Sequence, residues 1–218
     1  MEISVVHPSL NKAGGAERYL IEMIKCLQDL GHNVSLYSID KTDWNTLDQT
    51  HNLMVDPNRE HYLQEKPLTP DGLIQWLKIA IAYTWLLIRG CEESDICINN
   101  YGEILPYFSQ VSVVHSVPMS SVKDNNYGIP FWSLIKRVYG YVSKRLDPYS
   151  SEAIITNSRF NAARIRHTGR VEVINPPVQL PSTINAEKNG EILTVARLKP
   201  SKNLNKIAER AHVAGRTE

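Results

Sequence analysis

Short apolar runs alternate with amphipathic segments along most of this chain. Ile3–Val6 and Val34–Ile39 have the length and the Val and Ile content of buried strands. Between them, Ala16–Leu30 carries large apolar residues at helical spacing, and Gly31 follows as the expected helix stop. A strand, a helix and a second strand in this order are typical of a parallel unit. The opening therefore predicts an α/β fold with a parallel sheet and helices on both faces.

The same alternation continues beyond the first unit. Further strands are predicted at Asn52–Val55, Asp95–Ile98, Val111–Val114, Ala153–Ile155 and Val171–Ile174. Further helices are predicted at Leu73–Ile88, Gly102–Phe108, Phe131–Arg145 and Ser158–Arg166, with Ser158 as a cap. The helix at Leu73–Ile88 contains Gln75, Lys78 and Thr84 and is shorter than the roughly 20 apolar residues of a membrane span. We therefore predict a buried helix there.

Composition shifts divide the chain into parts. Residues 41–70 are polar and lack a sustained period, which favours surface loops around one irregular strand, and Ser116–Pro130 favours a loop at the end of a strand. A stretch with several prolines and few apolar residues follows the last strand. We predict a domain at 1–178, a linker at 179–190, and at 191–218 the first strand and helix of a second, incomplete domain.

Charge and cysteine content narrow the function classes. The 24 lysines and arginines balance 23 acidic residues, so the chain as a whole does not attract nucleic acid. The three cysteines, Cys26, Cys91 and Cys97, have no metal-ligand spacing, which favours buried thiols in a reducing compartment. The N-terminus enters a strand without a signal-peptide pattern. A cytoplasmic location follows as the expectation.

A glycine pair stands between the first strand and the first helix. The loop runs His7-Pro8-Ser9-Leu10-Asn11-Lys12-Ala13-Gly14-Gly15-Ala16-Glu17. Two adjacent glycines before a helix let backbone N–H groups approach a phosphate or sugar oxygen, although they would also serve simply to close a turn. Both interpretations stay open on the local pattern.

The second strand ends at Asp40, where a dinucleotide-binding dehydrogenase would hold a ribose. The third glycine of that fingerprint is absent, and the loop before Gly14 is long for a tight turn. We therefore expect Asp40 to be a solvent-facing residue at a strand end, and an NAD-dependent oxidoreductase is the less favoured enzyme class.

Two cations mark the stretch Val195-Ala196-Arg197-Leu198-Lys199-Pro200-Ser201-Lys202-Asn203. In a loop between a buried strand and a helix, Arg197 can fork onto a phosphate and Lys202 can add a point charge. Spacing alone also allows a solvated basic turn.

Taken together, these stretches resemble the retaining glycosyltransferases of family four, which have the GT-B fold of two Rossmann-like domains. The resemblance is carried, in order, by Gly14-Gly15-Ala16-Glu17, Val114-His115-Ser116, Ile155-Thr156-Asn157-Ser158-Arg159-Phe160 and Val195 to Asn203. Ile174-Asn175-Pro176-Pro177-Val178 also looks like the junction between that family's domains. The resemblance covers nearly the whole chain and the front part of a typical member.

The resemblance implies transfer of a sugar from a nucleotide diphosphate sugar to a hydroxyl acceptor, with retention and without a cofactor or metal. It implies that Gly14 and Gly15 line the cleft near the donor, that Arg197 and Lys202 hold the departing diphosphate, and that His115 lies close to the donor sugar. A histidine hydrogen-bonded at the edge of the core is the alternative for His115. Glu17 and Asn11 are candidates for acceptor contact, while Asn157 and Ser158 are expected to be caps and loop anchors.

The sequence departs from the family in one respect, because the paired-glutamate motif of the second domain is absent from it. This leaves two function classes: an enzyme of cell-surface glycan or glycolipid synthesis, and a non-catalytic half that binds acceptor for a partner chain. Acceptors would be glycans or lipid-linked glycans. The aromatic and basic segment Phe131–Arg145 fits either a core helix or peripheral contact with the inner face of a membrane.

Overall fold

The structure of the chain is a computed structural model. It describes residues 1–69, 72–102, 109–116, 137, 151–165, 169–178, 194 and 203–214. The chain divides into two compact units, Met1–Pro177 and Val178–Glu218. The predictions at 103–108, 117–130, 131–145 (except residue 137), the linker at 179–190, and the predictions at 191–193 and 195–202 lie outside the described residues.

The first unit is built on a parallel sheet. Its strands are β1 (Glu2–Val6), β2 (Asn33–Asp40), β3 (Arg59–Gln64), β4 (Ile96–Asn99), β5 (Val111–Val114), β6 (Ala153–Thr156) and β7 (Arg170–Val173). They lie in the order β3-β2-β1-β4-β5-β6-β7, and every neighbouring pair is parallel. This is the strand order of a doubly wound Rossmann-like sheet with one strand added. The predicted α/β class is confirmed.

Helices cover both faces of the sheet, as the sequence predicts. The described helices are α1 (Gly15–Asp29), α2 (Trp44–His51), α3 (Gly72–Glu92), α4 (Arg159–Ala162) and, in the second unit, α5 (Leu204–Ala214). Leu20 and Ile24 of α1 pack with Ile3 and Val5 on one face, and α3 packs on the other, where Val6 lies. Alternate residues of β1 thus serve opposite layers of the core.

The end of α1 follows the predicted signal. Gly31 has a φ of +83°, a left-handed conformation that costs glycine little. Its N–H donates to the carbonyl of Gln28, and that of His32 donates to Leu27. These bonds satisfy carbonyls of the last helical turn.

The segment at 41–70 is more regular than predicted. It contains helix α2 and strand β3, while Asn52–Val55, predicted as a strand, is not one. Asn52 instead ends α2 in a left-handed conformation, and Leu53 and Val55 are buried in the core from a non-strand segment. The sequence pattern did not predict β3, because it is a mostly exposed edge strand without an apolar run.

Helix α3 is buried on one side only, which corrects the expectation of a buried helix. Tyr83 and Leu87 face the core. The exposed apolar residues of α3 are Ile74, Leu77, Ile81, Trp85 and Ile88. Within the described part of the chain, no helix has both the length and the apolarity needed to cross a membrane.

The cysteines also differ from expectation. Cys26 on α1 is exposed. Cys91 at the end of α3 forms a disulfide with the buried Cys97 of β4. A separation of six residues carries no pairing signal in the sequence, and the two cysteines are brought together by the turn from α3 into β4.

The Ser158 cap is present as predicted. Its hydroxyl accepts a hydrogen bond from the backbone N–H of Asn161 at 3.3 Å, at the start of α4. The helix ends at Ala162, earlier than the predicted Arg166.

Candidate functional site

The order of the strands opens a crevice at the carboxyl ends of β1 and β4. β1 continues to β2 on one side of it, and β4 is followed by β5 on the other. Connections that leave in opposite directions create a gap, which is where ligands bind in open α/β sheets. His7 follows β1 directly and Asn100 follows β4 directly. The parallel register pairs Val6 with Asn99, so the next two residues meet at this gap.

Three side chains form a hydrogen-bonded row across the gap. Nδ2 of Asn100 lies 3.2 Å from Nδ1 of His7, and Oδ1 of Asn100 lies 3.1 Å from Nε2 of His115, which follows β5. His7 and Asn100 are buried. The ends of three strands thus contribute to one polar cluster, in which His7 and Asn100 are 93 residues apart.

Glu17 adds a charge at the far end of this row. It lies in the first turn of α1, only 8% exposed, with Oε1 3.8 Å from Nε2 of His7. Its other oxygen accepts a hydrogen bond from the N–H of Gly14 at 3.0 Å. The carboxylate therefore caps its own helix and faces His7.

The two glycines of the loop differ in their surroundings. A Cβ added at Gly14 would lie 2.8 Å from Oε2 of Glu17, whereas at Gly15 it would meet no heavy atom of the chain within 4 Å. Ala13, just before them, has a φ of 45°, a left-handed conformation that is rare outside glycine. Gly14 thus makes room for the capping carboxylate, and Gly15 leaves an open approach to the start of α1.

His115 is fixed through its backbone and its ring. Its carbonyl accepts hydrogen bonds from Nδ2 of Asn157 at 2.8 Å and from Nδ2 of Asn161 at 3.2 Å. The ring of Tyr19 meets its imidazole edge to face, with centroids 5.2 Å apart. Asn157 is thus a loop anchor, as predicted.

Burial and charge set the protonation of the cluster. Burial, with a further contribution from the charge of His7, lowers the pKa of His115 from 6.5 to about 4. Burial raises the pKa of Glu17, but its interaction with His7 and hydrogen bonds from backbone amides lower it, and the net change is downward. His115 is therefore neutral and Glu17 ionised at neutral pH.

The remaining predicted residues lie apart from this cluster or outside the described chain. Nδ2 of Asn11 donates to the carbonyl of Lys41 at 2.9 Å, and its Oδ1 accepts from the N–H of Asp43 at 2.8 Å. Its role in acceptor contact stays a prediction, as does that of Glu17. Arg197 and Lys202 lie outside the described residues, so their roles also remain predictions.

Asp40 is not the solvent-facing residue that we expected. It is 0% exposed, and its Oδ2 accepts hydrogen bonds from the hydroxyl of Ser9 at 2.9 Å and from the N–H of Leu68 at 2.6 Å. Through these hydrogen bonds, the buried carboxylate connects the loops after β1 and β3 to the end of β2. This structural use argues against a ribose-binding acid.

Sequence reasoning did not select His7, Tyr19 or Asn100. The position of His7 and Asn100, each a polar residue directly after a buried strand, could have identified them, because such residues lie together at the carboxyl edge of a parallel sheet. Tyr19 gave no signal beyond its helical spacing. Among the described residues, no group of three His, Cys, Asp or Glu side chains is arranged to hold a metal ion.

Comparisons with known proteins give a distant structural likeness. No protein family model matches the chain. No curated protein matches it either. Among solved structures, it is similar to a UGT transferase from Siraitia grosvenorii in complex with UDP, with 11% identity and a TM-score of 0.44 over 84% of this chain and 52% of that one. The chain spans about half the length of that structure.

Proposed function

We propose that this chain is the acceptor-side part, with the beginning of the donor-side part, of a retaining glycosyltransferase of the GT-B type that uses a nucleotide diphosphate sugar. One observation carries the proposal. Two motifs of the family resemblance, Gly14-Gly15-Ala16-Glu17 and Val114-His115-Ser116, lie far apart in the chain. Their Glu17 and His115 nevertheless belong to one cluster at the switch point of the sheet, where His7 and Asn100 lie between them.

The cluster suits the recognition of a sugar rather than acid–base chemistry at neutral pH. A neutral imidazole has one hydrogen-bond donor and one acceptor, the two kinds of group that bind hydroxyls. Gly15 leaves the start of α1 open, where N–H groups and the helix dipole favour an anion.

Charge on the leaving diphosphate has to be offset for transfer to proceed. In the proposal, the positive charges of Arg197 and Lys202 offset the negative charge of the diphosphate, and no metal or cofactor takes part. The acceptor would be a glycan or lipid-linked hydroxyl on the inner face of a membrane. The buried, doubly hydrogen-bonded Asp40 makes the oxidoreductase class less suitable.

Thermal unfolding in the presence of nucleotide diphosphate sugars tests the proposal. A ligand at about 100 times its Kd stabilises the folded state by about 2.7 kcal/mol. We expect at least one UDP or GDP sugar to raise the Tm, and Arg197→Ala and Lys202→Ala to weaken that effect. Lys206→Ala, on the exposed side of α5, is the matched control and should leave binding unchanged.

NAD serves as the discriminating ligand in the same assay. Stabilisation by NAD with none by any nucleotide sugar would overturn the proposal in favour of an oxidoreductase. If nucleotide sugars bind, transfer to a glycan acceptor separates the enzyme from a non-catalytic half, since only the enzyme releases the nucleoside diphosphate.

A further inference from the structure

Helix α3 has a second apolar side, which faces away from the sheet. Its exposed large apolar residues follow one another at intervals of three or four positions, so they lie on one side of the helix. They form the α3 ridge, which consists of Ile74, Leu77, Ile81, Trp85 and Ile88. A contiguous exposed apolar surface of this kind is typical of a site of contact with another protein or with a membrane.

An apolar groove runs beside the ridge and extends it onto the edge of the sheet. The groove is lined by Leu63 of β3 and by Lys78, Ile81, Ala82 and Trp85 of α3. Leu63 is 45% exposed, so the apolar surface continues from the helix to the edge strand. Lys78 supplies the charge in this lining, and within the described part of the chain it forms no ion pair.

The charges along α3 are unevenly distributed. Residues 72–91 include the basic Lys78 and Arg89 but no acidic residue. Nε of Arg89 pairs with Oε1 of Glu93 at 2.6 Å, and its guanidinium lies over the ring of Trp85 at 5.4 Å. Lys78 has no such carboxylate beside it among the described residues. A partner for this surface must therefore offer apolar groups together with negative charge.

A second copy of the chain does not meet this requirement through the same ridge. Two α3 ridges packed against each other would bury Lys78 of both copies, because Lys78 lines the groove beside Ile81. Neither copy could supply a carboxylate from residues 72–91. An ammonium group buried without a counter-charge is strongly unfavourable.

We propose that the α3 ridge and its groove are the face by which this protein docks on a bilayer containing anionic phospholipids. The apolar side chains enter the boundary between head groups and acyl chains, and the long stem of Lys78 lets its ammonium reach the lipid phosphates. The indole of Trp85 suits that depth, because it combines an apolar ring with an N–H donor. The helix lies on the bilayer rather than across it.

The direction of α3 relates this face to the candidate site. α3 follows β3 and precedes β4, so it runs back from the carboxyl edge of the parallel sheet to the amino edge. Ile74 and Leu77 therefore lie towards the edge where His7 and Asn100 meet. As the docking face of an enzyme whose acceptor is held in a membrane, the ridge rests on the proposed function.

Co-sedimentation of the full chain with lipid vesicles tests the docking face. We expect binding to vesicles of phosphatidylcholine and phosphatidylglycerol at low salt, and about fivefold weaker binding to phosphatidylcholine alone, because one lysine near an anionic surface contributes about that factor. Added salt should weaken the binding to the mixed vesicles.

Two pairs of variants separate the apolar and the charged contributions. Ile81→Ser should weaken binding to both kinds of vesicle about tenfold, since a largely exposed isoleucine no longer enters the lipid. Met54→Ser, which changes a 90% exposed apolar residue beyond α2, is its control and should bind as the wild type does. Lys78→Glu should weaken binding to the mixed vesicles alone, and Lys25→Glu on α1 makes the same change in net charge as its control.

A wild-type chain that stays in the supernatant with the mixed vesicles would overturn the docking face, as would equal binding by Ile81→Ser. A wild-type dimer that Ile81→Ser abolishes in sedimentation equilibrium, without vesicle binding, would assign the ridge to a second copy instead. If Ile81→Ser does not fold, brominated lipids decide, because they should quench the tryptophan emission of the wild type more than that of Trp85→Phe. Equal quenching would contradict the proposal.

Vesicle binding requires no nucleotide sugar, so the two proposals can fail separately. Failure of the proposed function would appear as a Tm that no nucleotide sugar raises, with vesicle binding intact. Failure of the docking face would appear as absent vesicle binding in a chain that nucleotide sugars still stabilise.

Discussion

The ring of Tyr19 lies edge to face against the imidazole of His115, with the centroids 5.2 Å apart. Tyr19 is buried in α1, and its hydroxyl donates to the carbonyl of Ile174 at 3.4 Å, just after β7. One side chain therefore supports the candidate site and holds the end of the sheet's last strand.

Removing that ring should destabilise the first unit strongly. We expect Tyr19→Ala to lower the free energy of unfolding by about 3 kcal/mol, as for other large core truncations. Tyr19→Phe retains the ring contact and loses only a long hydrogen bond, so its cost should be at most about 1 kcal/mol. Urea denaturation measures both, and equal losses would show that the hydroxyl rather than the ring supports the site.

The charge of Glu17 should be visible in the titration of His115. Burial and the charge of His7 lower the pKa of His115 to about 4, and the charge of Glu17 acts in the opposite direction. Glu17→Gln should therefore lower the pKa of His115 further, as measured by NMR. Glu22→Gln, on the next turn of α1, is the control and should change it little. A rise in Glu17→Gln would contradict the electrostatic arrangement described here.

Acid should weaken the fold in two steps. The pKa of His115 is lowered in the folded state to about 4, so below its usual value of 6.5 the unfolded chain binds a proton that the folded chain does not. The free energy of unfolding therefore decreases as the pH falls from about 6.5 to about 4. Glu17 also has a lowered folded pKa, so the stability from its charge is present above its usual value and is lost as the pH falls below 4.5.

Urea midpoints at pH 7, 5.5 and 4 compare the wild type with His115→Gln. Buried His51, with a pKa lowered by burial and by Arg18, contributes in both proteins, so the difference between them isolates His115. The loss from pH 7 to 4 should be smaller in the variant. Equal losses would mean that His115 titrates alike in the folded and unfolded states.

The sequence predicted six of the seven described strands, including the mostly exposed β7, and missed β3. β1, β2, β4 and β5 are apolar because helices or neighbouring strands cover them, whereas β3 lies at the sheet edge and is mostly exposed. The strand predicted at Asn52–Val55 was wrong, because the buried Leu53 and Val55 lie at alternate positions of an irregular segment and so give the local pattern of a short strand.

The candidate site was predicted in parts. His115 and Glu17 were selected from motifs, but the residues that join them were not. Asn100 and His7 are 93 residues apart and meet only because β1 pairs with β4 rather than with β3. Strand order is a property of tertiary packing, which local periodicity does not contain.

Asp40 should prove to be a structural acid. Asp40→Asn replaces one of the acceptor oxygens with a donor and weakens the bonds from Ser9 and Leu68. Inside the core this should cost about 1–3 kcal/mol of unfolding free energy. Asp43→Asn, at the exposed cap of α2, is a milder matched change. If Asp40→Asn were neutral in urea denaturation, the buried carboxylate would have another role.

The two neighbouring glycines should respond in opposite ways to the same substitution. Alanine at Gly14 would place its Cβ 2.8 Å from Oε2 of Glu17, so the carboxylate must move and the helix loses its cap. We expect Gly14→Ala to lower the free energy of unfolding by about 1 kcal/mol, a typical value for a lost cap. At Gly15 a Cβ meets no heavy atom within 4 Å, and alanine is a better helix former than glycine.

Gly15→Ala should therefore be neutral or raise stability by up to about 1 kcal/mol. Under the proposed function the same methyl group narrows the open approach to the start of α1, so affinity for a nucleotide sugar should fall while stability does not. Calorimetric titration and urea denaturation of the same samples measure the two effects. Unchanged affinity in Gly15→Ala, with a nucleotide sugar bound normally by the wild type, would place the ligand away from this loop.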